Sequence, residues 1–311
     1  MTTRRQFIAS CSASLLACSS QLSAQNNLTT RPGLMQTKSI PKTGEQLPVV
    51  GLGTLDAFNV EPDAPERKQL GQVLNILANS GGSVVDTSPS PRYGVGEAAL
   101  GEIAESVNVS EKLFFATKVF SEGKQAGIDE MNASFDSLKV PVIDLMQVHN
   151  LRDWQTHIPT IQKLKDEGKV RYMGVTIHRD TGHAEMMQVM REENIDFVQV
   201  NYNLIERAAA DELLPLAEEK DIAVIANVPF AKAKLFEITK DQPLPDLAAE
   251  IQCNTWAQFF LKFIVSHPAV TCVIPRTGKV KHMADNMMGA FGKQPDQNMR
   301  TEMETIIDAL V

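Results

Sequence analysis

Four short apolar runs end abruptly in polar side chains: Val84-Val85 in Asp86, Phe114-Phe115-Ala116-Thr117 in Lys118, Leu145-Met146-Gln147-Val148 in His149, and Phe197-Val198 in Gln199, Asn201 and Asn203. In extended backbone alternate side chains share a face, which groups Phe114, Ala116 and Lys118, Gln147 with His149, and Gln199 with Asn201 and Asn203. Polar tips on neighbouring strands therefore converge. A carboxylate, an ammonium and an imidazole at the mouth of an apolar sheet are suited to moving protons. The ammonium repels a cation, and the chain has neither an H-E-x-x-H sequence nor a cysteine cluster, so no metal is expected. Lys118 beside Asp86 would stay charged and would lower the pKa of a neighbouring phenol below its free value of roughly 10. The chain has 3 tyrosines. Tyr172 opens a strand at the far end, Tyr202 faces opposite to Gln199, and Tyr93, in the loop after Asp86, is the candidate.

These residues need a scaffold that brings strand ends together. Apolar runs occur at 48–54, 83–88, 113–119, 142–149, 172–177, 197–203, 222–229 and 271–275. Amphipathic stretches at 65–80, 97–107, 127–138, 155–167, 182–193, 210–220, 247–266 and 280–290 separate or follow them. Strand then helix, repeated in this way, predicts a (β/α)8 TIM barrel, whose active sites lie at the C-terminal ends of the strands. A turn at 41–45 predicts an N-terminal β-hairpin before the barrel, and the chain end an extra C-terminal helix. Gly94-Val95-Gly96-Glu97-Ala98-Ala99 fits a loose dinucleotide fingerprint, but the acid expected after the next strand is replaced by Lys118, so no Rossmann half is expected.

The chain has 311 residues and a formal charge of -8, which argues against a nucleic-acid or anionic-membrane partner. Residues 1–24 carry two arginines and no acid ahead of an uncharged run, too short and polar to span a membrane. Thr3-Arg4-Arg5-Gln6-Phe7-Ile8 resembles a twin-arginine signal, which implies an exported, periplasmic protein. Leu22-Ser23-Ala24 fits a cleavage site that leaves a single domain over 25–311. Leu15-Leu16-Ala17-Cys18 resembles a lipobox, which would make 1–17 the signal and Cys18 a lipid anchor. Cys253 and Cys272 sit in apolar stretches and are expected to be buried thiols. His178 and His183 are assigned to loop polarity.

Over most of 48–289 the chain resembles the aldo-keto reductase family. Val85-Asp86-Thr87, Tyr93-Gly94-Val95-Gly96-Glu97, Ala116-Thr117-Lys118-Val119 and Asp144-Leu145-Met146-Gln147-Val148-His149-Asn150 carry the resemblance, with Gly51-Leu52-Gly53-Thr54 similar to the first-strand motif. The resemblance implies a catalytic tetrad of Asp86, Tyr93, Lys118 and His149. It further implies NADPH-dependent reduction of a small aldehyde or ketone, with Tyr93 as proton donor and His149 orienting the carbonyl. Gly53, Thr54, Thr176 and Gln199 would face the nicotinamide half. Pro275, Arg276, Thr277, His282 and Asn286 would grip the adenosine phosphate, a fork-shaped guanidinium suiting a phosphate. Departures from the common pattern are a longer loop between Asp86 and Tyr93, Ile177 and Asn227 near the nicotinamide stretch, and His282 in place of a frequent Arg. The alternative is a non-catalytic barrel that binds the nucleotide as a sensor.

Overall fold

Alternation of strand and helix governs the described residues after an N-terminal hairpin. The computed structural model describes residues 33–89 and 95–311; segment 1–24, with Cys18 in it, and Tyr93 lie outside the described residues. An antiparallel hairpin of β1 (Thr37–Ser39) and β2 (Gln46–Pro48) comes first. It is followed by β3 (Leu52–Gly53), α1 (Glu66–Asn79), β4 (Val84–Asp86), α2 (Gly96–Ser106), β5 (Phe114–Val119), α3 (Lys124–Leu138) and β6 (Ile143–His149). Next come α4 (Trp154–Asp166), β7 (Val170–Thr176), α5 (His183–Glu192), β8 (Phe197–Asn201), α6 (Leu213–Glu219) and β9 (Ala223–Asn227). The chain closes with α7 (Lys234–Ile238), α8 (Asp246–Glu250), α9 (Trp256–Val265), β10 (Val270–Val273), α10 (Val280–Met288) and α11 (Gln297–Asp308).

The strands β3 to β10 form one parallel sheet in sequence order. Single bridges from Val50 to Val273 and from Gly53 to Arg276 bring its two edges together. The result is the expected (β/α)8 barrel with its N-terminal hairpin and an additional C-terminal helix. Two expected elements are divided. The run 48–54 splits because Pro48 pairs with Thr37 in the hairpin, and only Leu52–Gly53 remain for the barrel. The stretch 247–266 breaks into α8 and α9 because Gln252 turns left-handed at φ 57° and the Thr255 hydroxyl accepts the Gln258 N–H, starting a new helix.

Inside the barrel, Val84, Phe114, Leu145, Tyr172, Phe197, Ala223, Ile225 and Cys272 fill the lower layers, and Ile40 and Leu47 of the hairpin region join them from beneath. Burying each large side chain of this kind contributes about 1.5–3 kcal/mol. Polar groups tie the floor down. Tyr172 donates to Glu45 at 2.5 Å, Arg171 pairs with Glu45 and Asp144, and Lys38 Nζ donates to the carbonyls of His267 and Val270 at 2.5 and 2.7 Å. The opposite, C-terminal end of the strands is polar.

Candidate active site

Each strand from β4 to β9 delivers a polar side chain at or next to its last residue: Asp86, Lys118, His149, Thr176, Asn201 and Asn227. Parallel register does this, since all strands finish at one end of the barrel. Asp86 and Lys118 are 8% and 5% exposed, and Lys118 Nζ lies 2.6 Å from Asp86 Oδ2 and 2.7 Å from the Thr87 carbonyl. Desolvating an ion pair is costly, so a buried pair at a barrel mouth calls for a reason other than stability. Thr54 holds the pair's backbone from the side of β3, its amide and hydroxyl both donating to the Asp86 carbonyl, at 2.9 and 3.0 Å.

His149 is half-buried against the Phe120 ring, with centroids 5.2 Å apart, and its Nδ1 lies 3.4 Å from Ser88 Oγ. Burial, followed by the charges of Lys118 and His178, pushes its pKa down to about 3. The imidazole is therefore neutral near pH 7 and carries one N–H. Whichever nitrogen bears that proton, the ring can offer a donor without charge. Behind β5, Glu97 at the start of α2 is buried and accepts from Thr117 Oγ1 at 2.5 Å and Ser134 Oγ at 3.1 Å. Burial raises its pKa despite these donors.

Beside this group lies a row of amides. Thr176 donates to Gln199 Oε1 at 2.9 Å, which leaves Gln199 Nε2 buried with no partner among the described residues. Asn201 and Asn227 each bury an Oδ1 in the same condition, while Asn227 Nδ2 donates to the Ile177 carbonyl at 3.3 Å. Asn203, expected to share their face, instead leaves the strand. Its Oδ1 accepts from the amides of Ile205 and Glu206, and its Nδ2 donates to Glu206 and the Val228 carbonyl, because β8 ends at Asn201 and the chain turns there.

The basic end is built just past β10. Gly53 bridges Arg276 and pairs in register with Asp86, so Arg276 stands two strands from the ion pair. A Cβ at Gly53 would come within 3.1 Å of the Ile274 carbonyl. The Arg276 guanidinium pairs with Asp56 at 2.8 Å, both half-exposed or more. Pro275 and Thr277 are buried, and the Thr277 hydroxyl accepts the Lys279 N–H at 3.0 Å. On α10, Asn286 is buried and His282 exposed. His178 pairs with Asn150 at 2.7 Å in a loop, as expected, whereas His183 is the first residue of α5 and lies 3.7 Å from Asp180. Tyr172 is on the floor, and Tyr202 accepts from Arg300 at 2.6 Å, so neither phenol faces Lys118. Gln147 and Glu97 receive no individual role from the sequence. Strand alternation does put Gln147 on the site face, two residues before His149, whereas nothing short of the fold places Glu97 behind Thr117.

A model of the Aldo/keto reductase family matches residues 49–306. The chain belongs to that family. A methylglyoxal reductase of Escherichia coli (strain K12) is 27% identical over 259 residues, covering 81% of this chain and 89% of the relative. An aldo-keto reductase of Bacillus subtilis (strain 168) is 26% identical over 205 residues, 61% of each chain. Among solved structures, an aldo-keto reductase from Klebsiella pneumoniae in complex with NADPH superposes with a TM-score of 0.73 at 24% identity, over 88% of this chain and 95% of that one. A glycerol dehydrogenase from Gluconobacter oxydans gives 0.74 at 21% identity, over 88% and 96%. At such identities the structural likeness establishes the fold. The Asp86, Lys118 and His149 assembly lies at the C-terminal end of the barrel strands.

Proposed function

We propose that this protein is an exported NADPH-dependent reductase of small aldehydes and ketones. The observation that carries the reading is the buried Lys118–Asp86 pair beside a neutral His149 at the C-terminal mouth of the barrel. The orphaned amide atoms support the cofactor. A nicotinamide carboxamide needs one donor and one acceptor, which Gln199 Nε2 and the Oδ1 atoms of Asn201 and Asn227 can supply. Family membership and the NADPH complex of the Klebsiella relative agree with that fit. Gly53, Thr54, Thr176 and Gln199 would hold the nicotinamide half, and Pro275, Arg276, Thr277, His282 and Asn286 the adenosine phosphate, with Arg276 exchanging Asp56 for the phosphate.

NADPH, when bound, supplies the hydride that adds to the carbonyl carbon. His149 donates its N–H to the carbonyl oxygen, where negative charge develops, and as a neutral donor it adds no net charge to the pocket. Tyr93 gives that oxygen a proton, its phenol made more acidic by the Lys118 ammonium, which Asp86 and the Thr87 carbonyl hold in place. The other two tyrosines are committed elsewhere, and this supports Tyr93 as the donor. The chemistry of the E. coli relative's named substrate suggests short, reactive aldehydes. The twin-arginine pattern around Arg4 and Arg5 supports periplasmic delivery of the folded, cofactor-loaded protein, with Cys18 as a lipid anchor if the lipobox is used.

The test is a fluorescence titration of the chain from Gln25 with NADPH and NADH, followed by absorbance decay on adding aldehydes, dicarbonyls and quinones. Tight NADPH binding and carbonyl-dependent decay that Tyr93→Phe abolishes are expected. Binding without turnover favours the sensor, and no binding refutes both readings.

A further inference from the structure

Gln147 is fully buried inside the barrel, two residues before His149 on the same strand face. Its register partners are Lys118 on β5 and Gly174 on β7. A Cβ at Gly174 would lie 2.7 Å from the Phe197 carbonyl oxygen, so that position accepts no side chain and Gln147 has none beside it from β7. Gln147 Nε2 donates to Asp86 Oδ1 at 3.3 Å, while the other carboxylate oxygen takes Lys118 at 2.6 Å. A carboxylate only accepts, which fixes the amide with its nitrogen toward Asp86. The amide oxygen is then left buried with no donor among the described residues.

An amide with one half unsatisfied is an expensive way to fill space, and Leu145, one inward position below, shows that an apolar side chain is accommodated in this column. What Gln147 does that a leucine cannot is hold the second oxygen of Asp86. With Oδ1 and Oδ2 both engaged, the carboxylate plane is fixed. With only Lys118 on it, the carboxylate is free to turn about χ2, which leaves the Thr87 carbonyl as the one fixed acceptor of the ammonium. Resting on the reductase reading, we infer that Gln147 is a positioning residue: it locks Asp86, and through Asp86 the Lys118 ammonium, against the proton donor of the reaction.

The experiment compares wild type, Gln147→Met and Gln147→Glu in steady-state reduction across pH, alongside NADPH titration and thermal unfolding. Methionine keeps length and volume but has no donor. Its variant should fold and bind NADPH within about twofold of wild type, while kcat falls on the order of tenfold. Its alkaline limb should move upward, because a less firmly held ammonium acidifies the donor less. Glutamate regains a donor only while protonated, so its kcat should approach wild type in acid and decline as the new carboxyl ionises against Asp86. This variant decides the matter should methionine fail to fold. An unchanged kcat and limb in folded Gln147→Met, or a parallel loss of NADPH affinity, overturns the positioning role while leaving the reductase intact. A wild type that reduces no carbonyl overturns both.

Discussion

A histidine held neutral in the folded state takes up a proton when the chain unfolds, at any pH between its folded and ordinary values. For His149 that window runs from about 3 to 6.5. His267, pushed down to about 4 by burial and by Arg300 and Lys38, adds to it with the same sign. The unfolded state binds more protons there, so stability falls as the pH drops through 6.5 toward 3. Replacing His149 by Asn should flatten that fall by about 1 kcal/mol per pH unit, read from urea unfolding at stepped pH. The ion pair predicts a different pattern. Lys118→Met strands a buried carboxylate and should cost about 3–5 kcal/mol. Adding Asp86→Asn should recover part of that stability without restoring activity, which should stay down by roughly 10²–10⁴-fold in kcat/KM. A double-mutant cycle separates the two effects.

At the scale of elements, strand ends act as a mounting ring: each polar residue is aimed by the strand beneath it. This is why Asp86, Lys118 and His149 were legible from the sequence. An apolar run ending in a charge marks both the strand and its tip. Joins between elements were less legible. The segment 247–266 reads as one amphipathic stretch, and its division depends on the left-handed Gln252 and the Thr255 cap, which periodicity does not register. Alternation groups Asn203 with Gln199 and Asn201 only while the strand lasts, and β8 ends at Asn201. Glu97 was invisible because its partners Thr117 and Ser134 come from two other elements. Thr255→Ala should lower stability by about 1 kcal/mol through loss of the α9 cap, measurable by chemical denaturation. With NADPH saturating, kcat should be unchanged, since α9 carries none of the proposed catalytic residues, while NADPH affinity should weaken because the Thr255 hydroxyl also donates to Asp285, next to Asn286.

For the molecule as a whole, the fold is compatible with the proposed exported setting. Both described cysteines, Cys253 and Cys272, are free and buried. Burial also raises their thiol pKa values, which keeps them unreactive. Among the described residues no helix is long and apolar enough to cross a membrane. If the arginine pair directs export, exchanging Arg4 and Arg5 together for Lys should retain the protein in the cytoplasm, folded and active, as seen by cell fractionation with an activity assay.

The two edges of the sheet meet through few hydrogen bonds: Gly51 and Gly53 donate to Val273 and Pro275, and Val273 donates back to Val49. Two bridges mark this join and two register pairs tie β3 to β4, against four in succession between β5 and β6. The two-residue β3 is thus where the barrel should breathe, and Gly53 and Arg276 stand on either side of its join with β10. A dinucleotide spanning the ion pair and Arg276 would cross this join and act as a staple. The amides of Gly51, Gly53 and Val273 should exchange with deuterium ahead of those in β5 and β6, and NADPH should slow them most. Cofactor occupancy then sets how long the barrel stays shut, and a protein that leaves the cytoplasm already loaded would arrive better closed than one that must find its nucleotide outside.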